Sequence, residues 1–452
     1  MIAEKGASSA LGRWRQVLGL DFNVFVTLLF RGWTVIAGAV MLVFLPLYLG
    51  PVRLGYHYTF ASVLALQIFF ELGMNQVVTQ ITSHEIAHLQ ALADGAFSGP
   101  QERIDRLASL ARMLRRWYAT AATLFALVIG PAGILFFSRN PTSGGVHWIG
   151  PWLTLTAATA GNLYISPTLA MLEGAGRIGE VARLRLFQSI VGYGLTAGVL
   201  VAGGGLWAST VIACVSVLGS AYWIGRHGVM IHWLRRHPPS SEAHVDWRRD
   251  IFPFQWRIAL SWMSGYFIFQ FFTPMLFQNQ GAVEAGRFGM VLAVFSAIQQ
   301  VGMSWMYSKS PQMAAHISRG ERDALNRVFM QAVKPSVGFT ALASVGLVGT
   351  VWILTRLGVP LVHRLSSLEV LCWMGLTNIV NAFIFAMAVY MRAHKEEPMM
   401  AASIALAVVV LGIAHWASRV SVELTAQLYF WATTMISLPW FVRTFLGFWR
   451  RR

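Results

Sequence analysis

Twelve apolar stretches of about 20 residues recur along this 452-residue chain, and they constrain its fold more than any other feature. A stretch of that length crosses the hydrocarbon core of a bilayer as an α-helix. Only helices and closed barrels satisfy their backbone hydrogen bonds in that environment. The chain is 56% hydrophobic and 12% charged, about half the charged share of a soluble domain. The sequence therefore predicts an all-α polytopic membrane protein with about 12 transmembrane helices.

Lys and Arg are distributed unevenly between the predicted loops. With a cytoplasmic N-terminus, 27 of the 35 Lys and Arg residues fall in cytoplasmic segments or within three residues of one, and six fall in outside loops or within three residues of one. This bias follows the positive-inside rule and predicts a multi-pass membrane protein with both termini in the cytoplasm. The predicted spans are 23–49, 56–82, 117–138, 149–171, 184–203, 206–225, 252–278, 286–307, 332–355, 366–391, 398–415 and 423–443.

The net charge of +16 is explained mostly by this topology. We expect contact with anionic membrane lipids, which attract basic segments at a membrane surface. Nucleic-acid binding is not expected, because no soluble domain is predicted to hold it. The two cysteines, Cys214 and Cys372, both fall in spans and indicate small core residues rather than a disulfide framework.

The chain repeats itself at an offset of about 228 residues, half its length. Six spans per half give both halves the same orientation, as in transporters built from parallel repeats, whose substrate sites lie between the repeats. We therefore predict a six-helix bundle in residues 1–228, a cytoplasmic linker in 229–250 and a second six-helix bundle in 251–452. The matched pairs are Pro46 with Pro274, Gly55 with Gly286, Gly73 with Gly302, and His88 with His316.

Arg31 lies inside the first predicted span. A charged side chain at this depth costs at least about 2.5 kcal/mol, so it usually faces a cavity, a partner or a ligand. If the first two spans form a hairpin that turns near residue 52, Glu71 lies at the same depth. Two arrangements remain open: a direct or water-bridged ion pair between Arg31 and Glu71, or separate snorkelling or pairing of each side chain with backbone and water. Arg257 opens the seventh span, where snorkelling and cavity lining both remain open.

Polar side chains concentrate in the second and eighth spans, which correspond under the repeat. Helix–helix contact explains any one of them, but their presence in both spans favours a shared aqueous cavity. The predicted site residues are Arg31, Arg257, Glu71, Asn75, Gln76, Gln299 and Gln300.

One short motif suggests a different chemistry. His84-Glu85-Ile86-Ala87-His88 matches H-E-x-x-H, in which two histidines on one helix face bind zinc and the glutamate acts as a general base. No third ligand follows at metzincin spacing, so we expect no metal site. Surface or helix-capping histidines are the favoured interpretation.

Several stretches resemble polysaccharide and lipid-linked oligosaccharide flippases of the MOP superfamily, which have a MATE-like fold. The resemblance covers the layout of the whole chain, but its specific motifs lie in spans 1–2 and 7–8. They are Leu49 through Tyr56, Thr59-Phe60, Glu71-Leu72-Gly73, Gln255 through Ile258, Ser264-Gly265-Tyr266, Pro274, Ala285 through Gly289, and Trp305 through Pro311.

The resemblance implies two six-helix bundles in a V that move a lipid-linked sugar by alternating access. Members that handle undecaprenyl-pyrophosphate-linked sugars bind the pyrophosphate through cavity arginines, which implies this role for Arg31 and Arg257. We expect no catalysis and no cofactor, with an ion or proton gradient as the energy source. The expected partners are a lipid-linked glycan, membrane lipids and other polysaccharide-assembly proteins.

Three other functions remain open from the sequence. A MATE-type multidrug or cation antiporter would share the fold but needs cavity acids, and Glu71 is the one deep acid in the predicted spans. A membrane enzyme is the second alternative, either a protease at the H-E-x-x-H motif or a polysaccharide polymerase. Polymerases of that kind usually carry a large outside loop, and none is predicted here. A transport-inactive relative that serves as a scaffold is the third.

Overall fold

The fold is all-α, as predicted, apart from one two-residue antiparallel β pair. A computed structural model describes residues 22–91, 97–139, 145–238, 244–394 and 399–451. Within these ranges, eight single helices are long and apolar enough to cross a membrane, and a bent helix pair makes a ninth. The predicted N-terminal end, residues 1–21, lies outside the described residues.

The first half contains helices that match predicted spans 1 to 6. Span 2 is formed by α2 to α4, and the others are single helices. They are α1 (Phe22–Tyr48), α2 (Pro51–Leu64), α3 (Ile68–Glu71), α4 (Met74–Ile86), α5 (Gln101–Ser138), α6 (Ile149–Gly174), α7 (Ile178–Val201) and α8 (Ala208–His227). The β pair, β1 (Gln90–Ala91) with β2 (Phe97–Ser98), lies between α4 and α5.

The second half follows the linker, which contains the short helix α9 (Val229–Arg236) and a π-helical turn at Trp247–Ile251. Span 7 is formed by α10 and α11, and span 12 by α16 and α17. The helices are α10 (Phe252–Phe269), α11 (Phe272–Asn279), α12 (Ala282–Arg319), α13 (Arg322–Arg356), α14 (Leu368–Ala393), α15 (Met400–Trp416), α16 (Val422–Ala432) and α17 (Leu438–Arg451).

Span 2 is broken in its middle. Leu72 and Gly73 both adopt the left-handed conformation, with φ of 52° and 66°, and the chain bends by 44° between the flanking segments. Glycine tolerates this conformation, whereas a leucine there is strained by about 1–2 kcal/mol. The break ends α3 at Glu71 and releases the backbone polar groups on both sides of it.

Span 7 is interrupted at Gln270 and Phe271, between α10 and α11. Pro274 lies in the first turn of α11. Because proline has no N–H, it cannot donate to the carbonyl of Gln270 four residues earlier, and the helix stops there. The matching Pro46 sits near the end of α1, which runs on for two residues to Tyr48.

Spans 2 and 8 bring the two halves together through their predicted outer ends. There α2 packs against α12 at Gly55 and Gly286. Beside this contact, the rings of Tyr56 and Phe277 lie 5.0 Å apart, and the Gln278 amide donates to the Phe136 carbonyl at 2.8 Å. The halves are therefore closed against each other at this end.

Towards the predicted cytoplasmic end, spans 2 and 8 pack against different helices. Helix α4 packs against α6, where Gly174 approaches Thr79 and Thr82. The lower part of α12 packs against α13, where Gly302 lies against Thr340. Spans 2 and 8 therefore part below their outer contact.

Candidate functional site

The break in span 2 positions a chain of polar side chains in the first bundle. Glu71, the last residue of α3, accepts a hydrogen bond from the Asn75 amide at 2.7 Å. The Asn75 amide oxygen accepts in turn from the Tyr118 hydroxyl at 3.2 Å, and Tyr118 is fully buried. Two predicted site residues, Glu71 and Asn75, are thus joined directly, and their link runs to span 3.

Below this chain lies a polar cavity of about 360 Å³ between spans 2, 4, 5 and 6. It contains Asn75 and Gln76 from the predicted set. Most of its polar lining side chains are amides or hydroxyls, which suits a ligand with many hydroxyl groups. The cavity is lined by Asn75, Gln76, Thr79, Asn162, Ile165, Ser166, Leu169, Ala170, Glu173, Arg185, Gln188, Ser216 and Ser220.

An ion pair stands at this cavity that is absent from the predicted site. Arg185 of α7 lies 2.9 Å from Glu173 of α6. The charge pattern assigns Arg185 to a cytoplasmic loop, although residue 185 falls just inside predicted span 184–203. A charged residue at the start of a predicted span, followed one turn later by the polar Gln188, is the sequence feature that could have indicated this cavity.

Arg31 and Glu71 do not form a direct ion pair. The carboxylate of Glu71 is occupied by Asn75, while Arg31 is exposed and forms no ion pair among the residues the structure describes. The two side chains were placed at equal depth on the assumption of a hairpin. Instead α1 packs mainly along α7 and makes few contacts with α2. Arg31 shares one helix face with Thr27 and Thr34.

The remaining predicted residues stay apart from the Glu71 group. Arg257 is exposed on α10, with its guanidinium 5.4 Å from the centre of the Trp256 ring. Gln299 is 8% exposed, and neither of its amide atoms has a protein partner, while the neighbouring Gln300 is exposed. Within the described ranges, no hydrogen bond joins these three residues to Glu71 or Asn75.

The H-E-x-x-H motif is built into a structural ion cluster. Glu85 is buried at the end of α4, and its two carboxylate oxygens accept from Arg103 at 2.8 Å and Arg106 at 2.9 Å. A carboxylate held by two arginines is a poor general base, since the paired arginines stabilise its deprotonated form. Helix α4 also ends at Ile86, before His88. Across the described residues, no group of three metal-ligating side chains is found.

Comparison with known proteins identifies the architecture. No protein-family model matches the sequence, and no curated protein matches it either. Among solved structures, an inward-facing multidrug resistance MATE family transporter of the MOP superfamily is similar, with a TM-score of 0.64, 15% identity and coverage of 92% of this chain and 94% of that one. The chain has the fold of the MATE transporters.

Two further structures support this assignment of the fold. The MATE multidrug transporter DinF-BH in complex with R6G gives a TM-score of 0.57 at 11% identity, covering 94% of each chain. A MATE protein in complex with MaD5 gives 0.51 at 14% identity, covering 95% of this chain and 94% of that one. The MATE fold thus extends over nearly the whole length and confirms the predicted fold class. At these identities it identifies a polytopic membrane architecture and no substrate.

Proposed function

We propose that this protein is a transporter that works by alternating access in a bacterial inner membrane, with both termini in the cytoplasm. The halves are closed at Gly55 and Gly286, and spans 2 and 8 part below that contact. This arrangement and the similarity to an inward-facing MATE structure support an inward-facing state. The neighbouring structures are transporters, which favours a function without catalysis.

The proposed substrate is a lipid-linked oligosaccharide or a similar polysaccharide precursor. One observation carries this choice: Arg31 and Arg257 are exposed inside predicted spans without an ion-pair partner among the described residues. An unpaired cation inside a membrane is energetically unfavourable. A pyrophosphate would stabilise it, because a pyrophosphate accepts charge-assisted hydrogen bonds from guanidinium groups. The two arginines would hold the pyrophosphate, and the lipid tail would remain in the bilayer.

The sugars would contact the polar side chains of both bundles. In the first bundle, Asn75 and Gln76 face a cavity lined mainly by amides and hydroxyls. In the second bundle, Gln299 is buried with an unpaired amide. A buried unpaired amide costs about 1–3 kcal/mol, and a sugar hydroxyl or a water that binds there would recover that energy. Gln300 is exposed beside it.

A proton or ion gradient would reset the transporter, with Glu71 as the group that titrates. Glu71 is the acid at the break of span 2, and Asn75 ties it to the segment beyond the break. A change in its charge would therefore alter the contact across the bend. Transport by a Glu71→Gln variant with the same pH dependence as the wild-type protein would disprove this coupling.

A MATE-type multidrug antiporter is the second candidate. It is favoured by the similarity to a MATE structure that holds R6G and by the acidic Glu71 next to aromatic residues in span 2. The difference from the first candidate is electrostatic. An organic cation would need more cavity acids than Glu71 alone, whereas Arg31 and Arg257, which have no ion-pair partner among the described residues, favour an anion.

Deletion of the encoding gene separates the two candidates. The flippase proposal predicts loss of a surface glycan, accumulation of its lipid-linked precursor and unchanged susceptibility to cationic drugs. Normal surface glycan with increased drug susceptibility would contradict that proposal and support the antiporter. Glycosyltransferase genes beside this one would be a second, independent sign of the flippase.

A further inference from the structure

A second and larger cavity lies beside the break in span 2. Its volume is about 820 Å³. It lies between the bent middle of span 2, the lower part of α5 and the start of the residues that lead into α10. The lining residues used below are Phe69, Phe70, Leu72, Arg112, Arg116 and His244.

The cavity is amphipathic in a definite direction. Its deep part is formed by Phe69, Phe70 and Leu72, which belong to the centre of predicted span 56–82. Its mouth carries Arg112 and Arg116, which lie just before predicted span 117–138. Apolar walls therefore reach towards the bilayer centre, and cations stand at the level of the headgroups.

The charge of the mouth is uncompensated. None of the residues that line this cavity is acidic. Arg112 donates to the His237 carbonyl at 2.6 Å, a neutral acceptor. The guanidinium of Arg116 has no hydrogen bond or ion pair within the part of the chain that the structure describes. An anion at the mouth would therefore meet two arginines and no opposing carboxylate.

The walls of the mouth are held in place by the linker. The Val245 N–H donates to the Ser109 hydroxyl of α5 at 2.9 Å, which fixes His244 beside the arginines. Trp117 and Trp247 stack at 6.1 Å on the same side. Tryptophan is enriched at the level of the membrane–water interface. The mouth is therefore a built site at headgroup depth.

We propose that this cavity opens towards the bilayer and binds an anionic glycerophospholipid from the adjacent leaflet. Its phosphate lies between Arg112 and Arg116, and an acyl chain packs against Phe69, Phe70 and Leu72. Charge complementarity selects an anionic headgroup, and the apolar wall selects a chain that reaches the bilayer centre. The bound lipid contacts the left-handed Leu72 and so favours the bent form of span 2. This inference does not depend on the substrate that is transported.

The test measures lipid retained by the delipidated full-length protein in native mass spectrometry, after addition of phosphatidylglycerol or phosphatidylcholine. We expect the wild-type protein to retain phosphatidylglycerol preferentially. Arg116→Gln removes a charge but no contact within the protein, and it should lower the affinity about tenfold, the effect of one charge-assisted hydrogen bond. Thr120→Trp, at an exposed position on the cavity wall, should block binding while both arginines remain.

The matched control is Arg115→Gln, since Arg115 is an exposed arginine next to Arg116 that does not line the cavity. Binding by this variant should equal that of the wild-type protein. If Arg115→Gln and Arg116→Gln weaken lipid binding equally, binding depends on general surface charge, and the proposed site is wrong. Full binding by Thr120→Trp would also overturn it. A preference for a polyprenyl phosphate over phosphatidylglycerol, abolished by Arg116→Gln, would reject a glycerophospholipid as the occupant.

Discussion

Gly55 of span 2 and Gly286 of span 8, which are matched in the predicted internal repeat, are in direct backbone contact. A Cβ added to Gly286 would lie 2.7 Å from the Gly55 nitrogen, and one added to Gly55 would overlap the Ala282 carbonyl. The contact thus lies where the two halves meet, and it allows the helices to approach without side chains between them. Small residues are common at such crossings in membranes.

The first prediction concerns this contact. Gly55→Ala should force α2 and α12 apart, because the new methyl group meets backbone that cannot rotate away, at a cost of about 1–3 kcal/mol. Thermal unfolding of the detergent-solubilised protein should show a lower midpoint. A reporter thiol makes the separation of the helices measurable. In a background without Cys214 and Cys372, Phe277→Cys places a thiol beside the Gly55–Gly286 contact. This thiol should react faster with a thiol reagent when Gly55→Ala is also present.

The control for that experiment is Gly38→Ala. Gly38 lies inside α1, and an added Cβ meets nothing within 4 Å. Its unfolding midpoint should equal that of the wild-type protein or rise slightly, since alanine is the better helix former. Its thiol reactivity should stay at the wild-type level. If Gly55→Ala behaves in the same way as Gly38→Ala, the outer closure does not depend on this contact.

The second prediction tests the polar chain at the break of span 2. Asn75→Leu removes the donor to Glu71 and the acceptor of the Tyr118 hydroxyl. Because buried polar groups are then left unpaired, we expect a loss of about 1–3 kcal/mol in the free energy of unfolding. Gln76→Leu changes the neighbouring, exposed cavity residue, which makes no hydrogen bond within the described residues, and should leave stability unchanged. Equal stability of both variants would contradict the structural role of Asn75.

The third prediction concerns Glu85, the glutamate of the H-E-x-x-H motif. Glu85→Gln should destabilise the protein by about 2–4 kcal/mol, because it leaves Arg103 and Arg106 without their buried partner. Glu102→Gln, at an exposed position with no ion pair in the described ranges, is the control and should have little effect. A stable Glu85→Gln protein that had lost a proteolytic activity would instead revive the enzyme alternative.

The fourth prediction separates a ligand-binding arginine from a merely exposed one. Arg257→Gln and Arg31→Gln should lower transport of a lipid-linked glycan at least about tenfold each, with unchanged thermal stability, since neither forms an ion pair within the described residues. Arg356→Gln is the matched control. Arg356 also lies over a tryptophan, 5.7 Å from the centre of the Trp352 ring, but near the predicted outer end. Transport at the wild-type level in all three variants would remove both arginines from the site.

Much of the fold follows from the length of the apolar runs. Each of the twelve predicted spans coincides with helix, because a chain in lipid has no other open structure for its backbone. Membrane boundaries are not helix boundaries, however. Helix α5 begins at Gln101, 16 residues before predicted span 117–138, because its lower turns are stabilised by packing on protein, where Leu107, Leu110 and Leu114 are buried.

The break in span 2 was not predictable from composition. The apolar pattern continues through Leu72, and a single glycine at position 73 is tolerated in helices at a cost of about 1 kcal/mol. The left-handed pair is instead set by tertiary contact, since a Cβ on Gly73 would lie 2.5 Å from the Ile258 side chain of span 7. Such contacts between distant segments leave no local signature.

The candidate site was predicted in part, for a related reason. Depth in the membrane can be read from sequence position, but rotation and neighbours cannot, so Arg31 and Glu71 were paired by depth while α1 packs on α7. Asn75 and Gln76 do line the cavity of the first half. Their place at a polar cavity could be predicted because polar side chains are concentrated in span 2, the broken one. Arg185 and Glu173 were not predicted as site residues. From sequence alone, a charged residue near a membrane surface that sets the topology cannot be distinguished from one that lines a cavity.

The most direct test of the central claim is transport by the purified protein in proteoliposomes, with two substrates compared in one preparation. The first is a fluorescent undecaprenyl-pyrophosphate-linked sugar, and the second is the cationic dye rhodamine 6G. The account predicts that the glycolipid moves between leaflets, that Arg31→Gln and Arg257→Gln each slow this movement at least about tenfold, and that the dye is not transported. Transport of the dye without movement of the glycolipid would contradict the account and identify a drug antiporter.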